Sequence, residues 1–445
     1  MSLLRSIAPT PLEQSLPRLD SFVSPYTGVV RSLFELAHAP DEARLVSFGT
    51  LVADMPELAG GPTGNSGGSH WLPEAARAAA LGESLERYSA SSTPAEGLVL
   101  TTAAELADGA VPPESFALFH PRQYAAAGFP FRPFRRETRV RWVRGCSLPE
   151  CVPVWLPAQL VYLPVAPVDG DEELIGYATS SGVACAPTPE EAILSSLCEL
   201  IERDAFMLTW CNRLVLPRLD WSADERLRTL DERYFAITGL RYSVVDLSVF
   251  FGVPVALGVV HGTAGEYGAL GVGAGCGTTI EVAWRKALAE AFAVRSHVRD
   301  ALYENPALLD GEAGDIGTFA DHIFYYGSEE RALAASFLDS SQETRATEDV
   351  ASVPGGNVRD QIEFLVGRLA EQGVSTYAAD ITSPDIRDAG LSVMRVVCPQ
   401  LCALDVVDKA RFLGGTRLYD AACAAGLVNR PLRFEELNPD PHPFP

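Results

Sequence analysis

Glu199-Leu200-Ile201-Glu202-Arg203 lies inside an otherwise apolar run, and Glu83-Ser84-Leu85-Glu86-Arg87 repeats its E-x-x-E-R order more than a hundred residues earlier. Residues three apart share a helix face, so each stretch presents two carboxylates together with an arginine beside them. A third helical stretch carries Glu290 and, five residues on, Arg295. A single E-x-x-E-R is common on solvated helix faces and decides nothing. The second copy is different, because Ala192, Ile193, Leu194, Leu197 and Leu200 surround it and argue against a purely solvated helix. Two carboxylates and a guanidinium are costly to bury on their own. Magnesium on a polyphosphate satisfies both signs at once, since magnesium takes hard oxygen ligands and arginine forks onto phosphate.

The rest of the chain limits the alternatives. Its 445 residues are 47% hydrophobic and 21% charged, an ordinary composition with ample material for a core. With 35 basic and 58 acidic residues the formal net charge is -23, which makes nucleic acid and anionic membrane poor partners for the surface as a whole. A local basic pocket for an anionic nucleotide is compatible with that balance. Met1 to Leu12 holds no apolar stretch long enough for a signal peptide, and no run reaches the roughly 20 apolar residues of a membrane span. The expected location is the cytoplasm. The nine cysteines show no zinc spacing: Cys146 and Cys151 are five apart, Cys398 and Cys402 four. They read as small buried hydrophobes of a reducing compartment. The only lysines, Lys286 and Lys409, sit in no G-x-x-x-x-G-K-[ST], which excludes a P-loop.

In chain order, residues 1–20 read as an N-terminal arm, 21–430 as the catalytic domain and 431–445 as a proline-rich tail. Ser24 to Val30 reads as a turn entering a strand. Gly60 to Ser69 is a glycine- and serine-rich loop feeding a helix expected to start near Pro73, in a position able to hold an anion or to be a plain surface loop. Thr188 and Glu191 form a capping box that gives Glu191 a structural task, and Thr278 with Glu281 is expected to form another. The helices they open should end near Trp210 and Arg299. Alternating glycines at 271, 273, 275 and 277 do not fit a dinucleotide fingerprint and instead mark a strand in close contact with a neighbour. Strand, helix and loop alternate without βαβ regularity, so an α+β fold with mixed or antiparallel sheets and packed helices is expected. The chain ends Asn438-Pro439-Asp440-Pro441-His442-Pro443-Phe444-Pro445. Such a segment is a stiff extended rod. It reads as a loose end, an adaptor ligand, or a means of delivering a terminal carboxylate, a base at neutral pH, to a fixed place.

Taken together and in order, these features resemble the YcaO family over nearly the whole length. The matching elements are Ser24 to Gly28, the glycine-rich loop before Glu83 to Arg87, Ser180-Ser181-Gly182-Val183-Ala184, Glu199 to Asp204, the Glu290 helix, Asp380-Ile381-Thr382 and the alternating prolines. The resemblance implies an ATP site without a P-loop, in which Glu83, Glu86, Glu199, Glu202 and Glu290 bind magnesium or lie beside it. It places Arg87, Arg203 and Arg295 on phosphates or on those glutamates, with Ser69 and Ser181 as further nucleotide contacts. Three positions depart from the family pattern: Ala79 and Ala293 stand where serine and glutamine are usual, and Ser181 where asparagine is.

The alternating-proline end is similar to that of the azoline-forming branch. The resemblance then implies an ATP-dependent cyclodehydratase acting on Cys, Ser or Thr of a precursor peptide, with Arg203 and the carboxylate of Pro445 in catalytic roles. It also implies a separate leader-binding partner similar to ubiquitin-activating enzymes, since the pattern begins by residue 24, together with a homodimeric state and an optional flavin dehydrogenase. The rival readings keep the ATP site but use sulfide for thioamidation or an amine for a macroamidine, or retain the fold as a scaffold without turnover.

Overall fold

The structure, a computed structural model, describes residues 4–5, 7–53, 66–94, 96–106, 109–163 and 170–445. Residues 60–65 of the glycine-rich stretch lie outside the described residues. The Ser24–Val30 turn feeds β1 (Val30–Leu36), which pairs antiparallel with β2 (Val46–Val52), and β2 pairs with β3 (Gly67–His70). A second, antiparallel sheet runs β4 (Val99–Thr102), β5 (Arg139–Ser147), β13 (Tyr377–Asp380), β14 (Ser392–Val397), β7 (Val183–Ala186), with β6 (Val152–Pro157) hairpinned onto β5. The third is ordered β11 (Leu270–Cys276), β10 (Val255–His261), β9 (Arg241–Asp246), β8 (Arg218–Asp220), β12 (Thr344–Ala346), and only its β8–β12 pair is parallel. The sheets are therefore mixed and antiparallel, as the absence of βαβ regularity implied.

Seven helices are named here: α1 (Leu12–Asp20), α2 (Pro73–Ser91), α3 (Pro121–Tyr124), α4 (Pro189–Cys211), α5 (Glu225–Tyr234), α6 (Ile280–Glu304) and α7 (Phe319–Tyr325). The buried side of α4 packs on β7 and β14 of the second sheet and on β10 and β11 of the third, which explains its near-continuous apolar sequence. Helix α2 packs on β2, β3 and β7, while α6 covers β10 and β11. The alternating glycines of β11 make that last contact possible. A Cβ on Gly273 would stand 2.4 Å from the Ala291 nitrogen and 2.6 Å from the Glu290 Cβ. Bare backbone there lets α6 settle onto the strand.

Two local expectations change. Residues 12–20 form a helix in spite of Pro17, because Leu19 is buried and Arg77 Nε of α2 binds Asp20 at 2.9 Å. Tertiary burial outweighs the proline penalty. The N-cap of α6 is Thr279, whose hydroxyl accepts from the Val282 amide, so the Thr278–Glu281 box is not formed; Glu281 instead pairs with Arg226 at 2.9 Å. Helix α6 also runs five residues beyond the expected stop, to Glu304. Thr188 caps α4 by accepting from the Glu191 amide as expected, but the reciprocal half of the box is not formed: the Glu191 carboxylate accepts from the Thr188 hydroxyl at 2.8 Å and from Thr10. Among the described residues no helix is long and apolar enough to cross a membrane.

Candidate active site

The five glutamates singled out from the sequence share one device: each accepts a backbone N–H from outside its own helix. Gly67, at the start of β3, donates to Glu83 at 3.2 Å, and Cys185 of β7 donates to Glu86 at 2.9 Å. Gly182, in the turn before β7, donates to Glu199 at 2.8 Å. On β11, Cys276 donates to Glu202 and Ala274 to Glu290, both at 2.8 Å. One oxygen of every carboxylate is thus fixed by rigid backbone, while the other faces Arg87 in Glu83 and Arg203 in Glu199 and Glu202. The turn before β7 is built for this. Gly182 has φ +84°, and a Cβ there would meet the Val396 carbonyl at 2.7 Å.

The charges of these groups reach one another across the helices. Burial pushes the Glu86 carboxyl up to about 8, with Glu199 and Glu83 adding to the rise. Burial also raises Glu290 to about 7, opposed by the Arg203 charge and reinforced by Glu202 and Glu199. Glu199 is raised by burial against the pull of Arg203 and the Gly182 amide. Carboxylates from α2, α4 and α6 therefore form one continuous electrostatic group. Arg87 is tied to Glu83 at 2.5 Å, one turn along α2. Arg203 stands between Glu199 at 3.6 Å and Glu202 at 3.5 Å.

The C-terminal rod is seated rather than loose. Asn438 bonds the end of α4 through its amide to the Cys211 carbonyl at 2.8 Å, and Trp210 donates to the Asp440 carbonyl at 3.1 Å. Tyr326 donates to the Pro441 carbonyl at 2.5 Å. His322 of α7 and His442 stack at 3.9 Å beside Asp405, all three buried. The His322 nitrogens face the carbonyls of His442 and Val406, and His442 Nε2 faces that of Asp405 at 2.7 Å. With its nitrogens so engaged, this trio anchors the tail. Phe444, fully buried, packs on Phe206 and lies under the Arg203 guanidinium at 4.3 Å, and a Pro445 main-chain oxygen accepts from Arg203 at 3.3 Å. The end of the rod thus reaches the same arginine that sits between Glu199 and Glu202.

Residues 67–402 match the family described as YcaO cyclodehydratase, ATP- and Mg2+-binding. The chain belongs to the YcaO family. A heterocyclase solved in complex with substrate and cofactor matches 100% of this chain and 59% of its own, at 25% identity and a TM-score of 0.83. The heterocyclase TruD matches over 100% of this chain and 56% of its own, at 25% identity and a TM-score of 0.72. The chain thus spans less than three fifths of either protein. YcaO from Methanopyrus kandleri, solved with AMPPCP and Mg2+, shares the fold over 92% of this chain and 97% of its own, at 19% identity and a TM-score of 0.64.

As a YcaO protein the chain binds ATP and Mg2+. The donor set fits that cation: all five side chains offer hard oxygen, and the upward shifts of Glu86 and Glu290 mark carboxylates short of positive charge. The other expected residues are distributed unevenly. Ser181 is buried in the turn beside Gly182. Ser69 lies on β3 with its hydroxyl 2.6 Å from that of Ser47. Arg295 is buried against Glu42, which also holds Arg299 at 2.5 Å. Arg203, rather than Arg295, is the cation that bears on Glu290.

One residue escaped the sequence reading. Arg395 of β14 is buried, donates to the carbonyls of Thr179 at 2.7 Å and Leu160 at 3.1 Å, and places its charge on Glu199. Its signal was a single arginine in the apolar strand Ser392–Val397.

Proposed function

We propose that this YcaO protein is an ATP-dependent cyclodehydratase that converts Cys, Ser or Thr of a precursor peptide to thiazoline or oxazoline. The observation that carries the reading is five glutamates held by strand or turn amides and linked by charge across α2, α4 and α6, with Arg203 between two of them and bonded to the Pro445 oxygen. The two 25%-identical heterocyclases, one of them solved with substrate and cofactor, support the same reading.

In this proposal the side chain of the ring-forming residue gives up its S–H or O–H proton to a base as it attacks the preceding amide carbonyl. The resulting oxyanion takes the γ-phosphoryl of ATP, and phosphate then departs as the ring C=N forms and the amide proton is lost. An amide oxygen leaves poorly, and phosphorylation makes it a good leaving group. Glu83, Glu86, Glu199, Glu202 and Glu290 are assigned to magnesium, which when bound neutralises the polyphosphate. Arg203 and Arg87 are assigned to the charge of the transferred phosphoryl. Pro445, whose oxygen Arg203 orients, is assigned the proton transfer. The precursor's leader is assigned to a separate partner protein.

The test is phosphate release and peptide mass together, with precursor peptide and partner supplied. Loss of one water per ring accompanied by phosphate is the expected result. Sulfur-for-oxygen exchange would replace the reading with thioamidation, and an unchanged peptide would reduce the chain to a scaffold.

A further inference from the structure

A cleft of about 100 Å3 opens beside Arg203 and Ser181, and its walls include Phe116, Leu160, Tyr177, Leu404 and Phe412. The aromatic wall is already in place. The Phe412 ring packs on Tyr177 at 4.6 Å and on Phe119 at 5.3 Å. The Tyr177 hydroxyl donates to the Ala410 carbonyl at 3.1 Å and accepts from the Val406 amide at 3.2 Å, so this wall has only apolar surface to offer. Among the described residues no acidic side chain lines the cleft. Its charged groups there are the guanidiniums of Arg203 and Arg395, and the buried Arg395 Nε has no hydrogen-bond partner among the described residues.

Resting on the cyclodehydratase reading, we infer that this cleft receives the side chain of the residue immediately before the ring-forming Cys, Ser or Thr, and that it selects an aliphatic or aromatic residue there. The carbonyl under attack belongs to that preceding residue, and its oxygen must face the phosphoryl site at Arg203. The side chain of the ring-forming residue is consumed in the ring. The preceding residue therefore supplies the one side chain of the reacting pair that is free to leave the site, starting from the carbon next to the reacting carbonyl. The cleft begins at the same arginine.

The test uses acetylated dipeptide amides with Leu, Phe, Gly or Asp before Cys, titrated calorimetrically into the full chain with Mg·AMPPCP present. Leu and Phe peptides are expected to bind at least tenfold more tightly than Gly and Asp peptides. Filling the cleft with Ala178→Phe, or independently Ala403→Phe, should remove that preference while leaving the Gly peptide and Mg·AMPPCP affinities within about twofold. Retained nucleotide affinity also shows that each variant is folded. Equal affinity for all four peptides, or no measurable peptide binding, overturns the inference. Loss of nucleotide affinity in either variant overturns it too, by giving the cleft to the nucleotide. Ring formation in full precursor peptides separates the two claims: rings without preference at that position sink the cleft alone, and selective binding without rings sinks the cyclodehydratase reading alone.

Discussion

Each of the five glutamates commits one oxygen to a strand or turn amide, and this sets what single substitutions should do. Glu202 is buried, held by the Cys276 amide and flanked by Arg203. Glu202→Gln keeps an acceptor for that amide but removes the charge. It should cut phosphate release by at least about 100-fold with an unchanged circular dichroism spectrum; wild-type turnover would remove the metal assignment. The raised carboxyls have a second consequence. Glu86 at about 8 and Glu290 at about 7 both start from 4.5, so in the metal-free fold they retain protons that the unfolded chain has already released. Stability of the metal-free protein from these groups is therefore full below about 4.5 and declines as pH rises through 7 and 8. A bound cation must displace those protons. At pH 7, Mg·AMPPCP binding should release protons, seen as a calorimetric heat that changes with the ionisation enthalpy of the buffer, and affinity should rise from pH 6.5 to 8. Heat independent of buffer would show these carboxyls already ionised.

At the scale of elements, the site depends on how closely helix and strand approach. Gly182 combines a left-handed backbone with contact to the Val396 carbonyl. Gly182→Ala should cost about 2 kcal/mol or more, from the left-handed penalty plus the clash, read from urea unfolding, and should weaken magnesium affinity because the Glu199 pin moves. Gly273→Ala pushes α6 off β11 and should lower stability by about 1–3 kcal/mol, with Glu290 displaced. The amphipathic stretches, the Thr188 cap and the close-contact strand were legible because they follow from local spacing. The α1 helix and the true cap of α6 were not, since Leu19 burial and the Glu281–Arg226 pair are supplied by distant residues.

At the scale of the molecule, the last eight residues tie the end of α4, α7 and the Asp405 loop together before reaching Arg203. Adding a few residues after Pro445 turns its carboxylate into an amide and crowds Arg203. We predict a loss of ring formation of at least tenfold with Mg·AMPPCP affinity within about threefold. An extension that leaves cyclisation intact would take Pro445 out of the proton transfer.

By itself the sequence determined the helical carboxylate pairs, the α+β class, the absence of a P-loop and the stiffness of the tail, because these are properties of residue type and short-range spacing. Only the tertiary structure decided which strand amides pin which glutamates, that Arg295 turns to Glu42 while Arg395 joins the site, and that the rod ends on Arg203. Those outcomes depend on contacts between residues far apart in the chain, and a buried charge takes whichever partner the packing brings within reach.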